Sequence, residues 1–205
     1  MMRYKAIGFD YGGVIGGLNS SGKRFNEKVC ELLSISKDEY ETTYYSLNHK
    51  IQLGEIDSRA EFWKIFLEVL GKSEKLDELL DFENESAKHH RTIEPEMVSL
   101  VDKIRRQGYK TGLFSNTTLE GGENMRNQGL DKHFDVFLIS SEIKLMKPDP
   151  KGFKLLADKL GVQLSELIYV DDAEKSLSTA DECGFTPILF TTKEALIEEL
   201  SRLGI

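Results

Sequence analysis

Asp10 closes a short apolar run, Ala6-Ile7-Gly8-Phe9, and opens onto Tyr11-Gly12-Gly13-Val14. A carboxylate at such a point, followed by glycines that admit a ligand to the backbone, is a candidate nucleophile. Other polar groups stand in the same relation to apolar runs. Ser115-Asn116 follows Thr111–Phe114, and Asp171-Asp172 follows Leu167–Val170. Lys147 precedes Pro148-Asp149-Pro150. Charge counting joins them into one set: three acids bring three negative charges, Lys147 returns one positive, and a Mg²⁺ ion would neutralise the rest. Mg²⁺ takes oxygen ligands and keeps several waters, so one or two carboxylates and a backbone carbonyl suffice. A phosphate dianion, repelled by the bare acids, could then be held for in-line attack by Asp10. The product would be an aspartyl-phosphate that water hydrolyses. Ser115 offers a hydroxyl to a phosphoryl oxygen, and Asn116 an amide to orient the group or the nucleophile.

The elements that must position these groups are legible as short apolar runs and helical periodicities. Strands are predicted at Ala6–Phe9, Thr111–Phe114, Val136–Ile139, Leu167–Val170 and Ile188–Phe190. Each is short and continuously apolar, as strands buried on both faces read. Between them Met97, Leu100, Val101 and Ile104, and then Phe153, Leu156, Ala157 and Leu160, follow helical spacing. Asp149-Pro150 offers an N-cap and a first-turn proline, and Thr191 with Glu194 predicts a capping box before Leu196. Alternating strands and helices predict an α/β fold with a doubly wound parallel sheet, whose ligands bind beyond the C-terminal strand ends.

Residues from about Leu18 to Glu94 break the alternation and read as helical throughout. Ser36/Glu39 and Ser58/Glu61 are capping-box spacings. Phe62, Ile65, Phe66 and Val69 line one helix face, which Trp63, Leu67 and Leu70 widen. A helix so apolar wants partners on several sides, and the stretch is expected to fold as a small bundle over the sheet. The expected division is residues 1–17 and 95–205 as the α/β core, with 18–94 as a helical cap.

The segments around Asp10, Ser115-Asn116-Thr117, Lys147-Pro148-Asp149-Pro150 and Val170-Asp171-Asp172 resemble, in order, the four motifs of the haloacid dehalogenase-like hydrolase superfamily. The resemblance covers residues 6 to about 190. The insert is similar to the cap of the subfamily that places it after the first motif, as in sugar-phosphate phosphatases and the N-terminal domain of epoxide hydrolases. The resemblance implies a Rossmann-like core, Asp10 as nucleophile, Ser115 as phosphate-binding hydroxyl, and Lys147 as the cation that neutralises phosphate and nucleophile. It also implies a Mg²⁺ site built from Asp10, Asp171, Asp172 and the backbone carbonyl of Gly12. The side chain at position 12 departs from the pattern. Relatives that act as phosphatases usually carry Asp there as the acid–base group, a function typically worth about 10²–10⁴-fold. Asp-x-Gly also occurs in a branch resembling sugar-1-phosphate phosphatases. Ser176 is a smaller departure, where many relatives have Asn.

Composition narrows the function classes. The 205 residues are 40% hydrophobic, enough for a full core, and the net charge of −8 disfavours a phosphate-coating nucleic-acid binder. Cys30 and Cys183 form no spaced set and suit a reducing cytoplasm. The N-terminus has too short an apolar run for a signal peptide, and no stretch approaches the roughly 20 apolar residues of a membrane span. The expected partner is a small phosphorylated metabolite, with neither nucleic acid nor membrane. A binding protein that kept the fold but lost turnover is the alternative that Gly12 suggests. A metal-free dehalogenase would leave Asp171 and Asp172 uncompensated, and a phosphorelay receiver would place its acidic pair first in the chain. Elsewhere, His89-His90-Arg91 reads as bland because adjacent side chains share no helix face. His49 and His133 are expected at the surface, Trp63 in the insert core, Glu120-Gly121-Gly122-Glu123 in a loop or frayed helix start, and Asn19–Lys23 in a linker.

Overall fold

The structure, a computed structural model, describes residues 3–16, 21–87 and 93–205. Leu18, Asn19-Ser20 and His89-His90-Arg91 lie outside them. The strands are β1 (Ala6–Phe9), β2 (Lys110–Ser115), β3 (Val136–Ile139), β4 (Leu167–Asp171) and β5 (Thr186–Leu189). All pair in parallel, in the order β3-β2-β1-β4-β5. β1 is central, and Phe9 pairs with both Leu113 and Val170. One step further, Asp10 comes level with Phe114 and Asp171, and its amide donates to the Val170 carbonyl at 2.9 Å. The strand order reverses at β1, so the crevice expected of an open α/β sheet opens beside Asp10.

The last strand begins two residues earlier than its apolar run suggests. Thr186-Pro187 precedes the run, and proline is tolerated here because β5 is an edge strand. The final helix is capped by Thr192, whose hydroxyl accepts from the Ala195 amide at 3.1 Å, and not by Thr191. Glu120–Glu123 is helical, within Leu119–Asn127.

Residues alternate between the two faces of the sheet. Ile7, Phe9, Leu113, Ile168 and Val170 pack with Met97, Val101 and Ile104 on one side. Ala6, Phe114, Leu138, Leu167 and Tyr169 pack with Phe153, Leu156, Ala157 and Leu160 on the other. The helix bearing the second set (Pro150–Leu160) starts from the Asp149 N-cap. It lies unusually close to the sheet: a Cβ on Gly8 would sit 2.6 Å from the Tyr169 ring and 2.9 Å from Leu156, and one on Gly112 2.7 Å from Leu156. On the helix itself, a Cβ on Gly152 would sit 2.6 Å from Phe114. That close approach fixes the start of the helix, and with it Lys147, over the strand ends. Tyr169 cannot swing aside, because its hydroxyl donates to the Phe114 carbonyl at 2.6 Å. Gly8→Ala is therefore expected to destabilise the fold by about 1–3 kcal/mol, the usual cost of overpacking. A urea midpoint equal to wild type would contradict this packing.

The described residues of the insert form the α-helices α1 (Ser21–Leu33), α2 (Lys37–Gln52), α3 (Arg59–Leu70) and α4 (Leu76–Ala87). Ser21-Gly22-Lys23 thus belongs to a helix and not to a linker. Ser36 and Glu39 form the reciprocal capping box. Ser58 caps α3 through the Glu61 amide, whereas the Glu61 carboxylate reaches the Asp57 amide. Phe62, Trp63, Phe66 and Leu67 are fully buried, in a core shared with Val29, Leu33, Tyr40, Ile51 and Leu79. Val69, expected inside, is exposed, because the buried arc of α3 centres on Trp63 and Phe66. The insert has its own hydrophobic core, distinct from the two that sandwich the sheet. His49 is exposed. His133 is not a free surface residue: it is half-buried, with Nδ1 2.9 Å from Asp102.

Candidate active site

Lys147 is where the separate motifs meet. Its ammonium lies 2.8 Å from Asp10 Oδ1 and 2.5 Å from Asp171 Oδ2, and the residue is only 4% exposed. Burying a charge this deeply is costly unless it is paired, and here both partners are carboxylates from neighbouring strand ends. The rings of Phe114 and Tyr169 lie beneath it, with centroids 5.9 and 5.4 Å away, and add cation–π attraction.

Asn116 meets Lys147 through its side chain. Its amide nitrogen donates to the Lys147 carbonyl at 2.9 Å, and its amide oxygen accepts from the Lys147 backbone N–H at 2.8 Å. The amide thus clamps the loop that delivers Lys147. Ser115, at the end of β2, is buried.

The three acids converge. Asp10, Asp171 and Asp172 each place a carboxylate oxygen within 4.8 Å of the others. Asp171 is fully buried and its Oδ1 accepts from the Ala173 amide at 2.9 Å; Asp172 is exposed. Gly13 makes room for Asp172. Its φ is +73°, and a Cβ there would lie 2.1 Å from the Asp172 Oδ2. Only glycine satisfies both conditions. The Gly12-Gly13 segment is a tight turn, closed by Ile15 and Gly16 amides on the Tyr11 carbonyl at 3.0 and 2.7 Å.

Electrostatics set the resting state. Burial pushes the Asp10 carboxyl up to about 6; Asp171 adds to the rise, while Lys147 opposes it without cancelling it. The Tyr169 hydroxyl is driven well above its usual range by burial and by the two nearby carboxylates, so it stays a neutral donor. The donor set fits a hard divalent cation: three carboxylates in reach of one point, with one lysine against three negative charges. Sequence reasoning missed Tyr169. The signal was present, since a tyrosine inside a fully buried strand must find a partner for its hydroxyl.

Fold, motif order and acidic cluster agree with one family. Residues 4–184 match the family model described as haloacid dehalogenase-like hydrolase, and the chain belongs to that family of hydrolases. Among solved structures, a HAD family enzyme from Bacteroides thetaiotaomicron superimposes with a TM-score of 0.75 at 21% identity, covering 96% of this chain and 98% of that one. A predicted HAD-like family hydrolase from Porphyromonas gingivalis gives 0.73 at 22% identity, with 98% of both chains covered. Of the characterised relatives, (S)-2-haloacid dehalogenase 1 of a Pseudomonas strain is 28% identical over 137 residues, 63% of this chain and 60% of its own length. The mouse bifunctional epoxide hydrolase 2 is 25% identical over 118 residues, 55% of this chain and 21% of its own length. A Mycobacterium tuberculosis phosphatase is 28% identical over 116 residues, 54% of each. The chain thus spans about a fifth to three fifths of these relatives' lengths.

Proposed function

We propose that the chain is a Mg²⁺-dependent phosphatase of small organic phosphomonoesters, sugar phosphates favoured, acting through an aspartyl-phosphate on Asp10. The observation that carries this reading is the convergence of Asp10, Asp171 and Asp172, with Lys147 paired to the first two. Lys147 alone does not offset three carboxylates, and a divalent cation does. Held by Asp10, Asp171, Asp172 and the Gly12 carbonyl, Mg²⁺ would supply the charge that lets a phosphate dianion approach. The chain's own residues do the rest. Asp10 attacks phosphorus as the P–O bond to the alcohol breaks, the leaving oxygen takes a proton from water, and a second water then displaces phosphate from Asp10; Lys147 and the Ser115 hydroxyl stabilise the charge on the transferring group, and Asn116 keeps Lys147 in place. Relatives support this choice: the B. thetaiotaomicron enzyme was crystallised with magnesium and inorganic phosphate, and a Methanopyrus kandleri protein 30% identical over 96 residues is a glyceraldehyde 3-phosphate phosphatase. Residues 18–94 act as the cap that covers the crevice, over a core formed by 1–17 and 95–205. Both cysteines are free, in keeping with a cytoplasmic protein, and among the described residues no helix is long and apolar enough to cross a membrane.

Gly12 favours a second reading, in which a binding or regulatory protein holds the phosphate without turning it over. One assay separates the readings. Over a panel of sugar, nucleotide and acyl phosphates, phosphate release is expected with Mg²⁺ and is expected to fall to background in EDTA. Binding without release across the panel would favour the second reading. Chloride release from 2-haloacids in EDTA, with no phosphate release, would overturn both.

A further inference from the structure

Ser140 lies outside every motif, yet its hydroxyl joins the insert to the active-site loop. It opens a short helical turn (Ser140–Ile143) directly after β3 and is fully buried. Its Oγ accepts from the Thr117 backbone N–H at 3.0 Å and donates to the Gln52 carbonyl at 2.6 Å. A second acceptor, the Thr117 carbonyl, lies at 3.2 Å. A serine hydroxyl has one proton, so it serves either Gln52 or Thr117, and the shorter contact is to Gln52. Gln52 ends α2, where helix carbonyls lack intrahelical partners. Thr117 follows Ser115 and Asn116, the phosphate-binding hydroxyl and the clamp on Lys147. Two further contacts hold the same side of the insert: Lys144 Nζ donates to the Gly54 carbonyl at 2.5 Å, and the Glu120 carboxylate accepts from the Arg59 amide at 3.0 Å.

We propose that Ser140 is a positioning residue that couples docking of the insert to the geometry of the Ser115-Asn116-Thr117 loop. With the insert docked, the hydroxyl proton is committed to Gln52 and the Thr117 amide is held from the other side. When the insert moves off, the proton turns to the Thr117 carbonyl and the loop relaxes. Only the kinetic consequence rests on the phosphatase reading; the mechanical coupling does not.

The test has two arms. In steady-state kinetics Ser140→Ala is expected to lower kcat about 10- to 100-fold, the scale of a small misplacement of reacting groups, with a smaller change in KM. Ser140→Thr, which restores the hydroxyl, is expected to recover most of the rate. In hydrogen exchange on substrate-free protein, Ser140→Ala is expected to raise exchange together at Gln52–Asp57 and Thr117–Gly121. Lys144→Gly removes a docking contact and suits the left-handed backbone at that position (φ 57°). With Ser140 intact it is expected to raise exchange at both segments, and in the Ser140→Ala background at Gln52–Asp57 only. A Ser140→Ala protein that melts lower but keeps kcat and shows exchange at one segment only would overturn the proposal. If wild type releases no phosphate from any substrate, the phosphatase reading fails, and the exchange pattern alone decides for or against Ser140.

Discussion

Asp10→Asn is expected to abolish phosphate release, by on the order of 10³-fold or more, while yielding a protein that melts higher than wild type in EDTA. The loss of rate follows from the proposed role of Asp10 as nucleophile. The gain in stability follows from burial. In the fold the Asp10 carboxyl titrates at about 6, against an ordinary value of 3.8, chiefly because its surroundings exclude water and secondarily because Asp171 lies nearby. An acid that ionises less readily in the folded state costs stability once pH passes its unfolded value. Wild type therefore loses stability as pH rises from about 4 to about 6, and the asparagine variant does not. The full gap is on the order of 3 kcal/mol, or about 6–12 °C in Tm for a chain of this size. Thermal melts in EDTA should show the two proteins converging below about pH 4 and separating above about 6. Saturating Mg²⁺ should narrow the gap by stabilising wild type. A variant that melts lower than wild type at pH 7 would mean that Asp10 is held for its contribution to the fold and not for chemistry.

Lys147→Ala has the opposite effect on stability. The ammonium is nearly inaccessible and stands between two carboxylates, at 2.8 and 2.5 Å. Removing it leaves Asp10 and Asp171 facing one another with no counter-charge, a defect that typically costs about 3–5 kcal/mol. Phosphate release should fall by about 10²–10³-fold, the usual cost of losing one preorganised stabiliser of the transferring group. Lys147→Arg should rescue neither property, because a planar guanidinium does not fit the slot over Phe114 and Tyr169 that a compact ammonium fills. Urea unfolding and kcat/KM together check this. An unchanged unfolding midpoint for the alanine variant would show that the carboxylates do not depend on Lys147.

What could be read from the sequence was whatever depends on local pattern. β1, β2, β3 and β4 fall within a residue of their apolar runs, since strands buried on both faces carry an unbroken signal. Asp149-Pro150 and Ser36/Glu39 mark helix starts because capping is decided within four residues. The groups at the strand ends follow from the rule for open sheets once strand order is assumed. What escaped depends on contacts distant in sequence. The choice between Thr191 and Thr192 as cap turns on where β5 releases the chain. Val69 and Ile65 look alike in a helical projection until the partners of α3 are placed. The role of Gly8 and Gly112 becomes visible only when Leu156 and Tyr169 lie against them. Asn116 gives no local sign that its amide bonds the backbone of a residue 31 positions away. Ser140 has no local signal at all, because its acceptor lies 88 positions earlier.

In the proposed reaction the Asp10 carboxylate takes up a phosphoryl group at a site whose acids require a divalent cation. Wild-type protein mixed with acetyl phosphate, quenched in acid and digested reports on it directly by mass analysis of the peptide containing Asp10. Covalent phosphate is expected on that peptide with Mg²⁺ and none in EDTA. Phosphate release without label on Asp10, or equal labelling in EDTA, would contradict it.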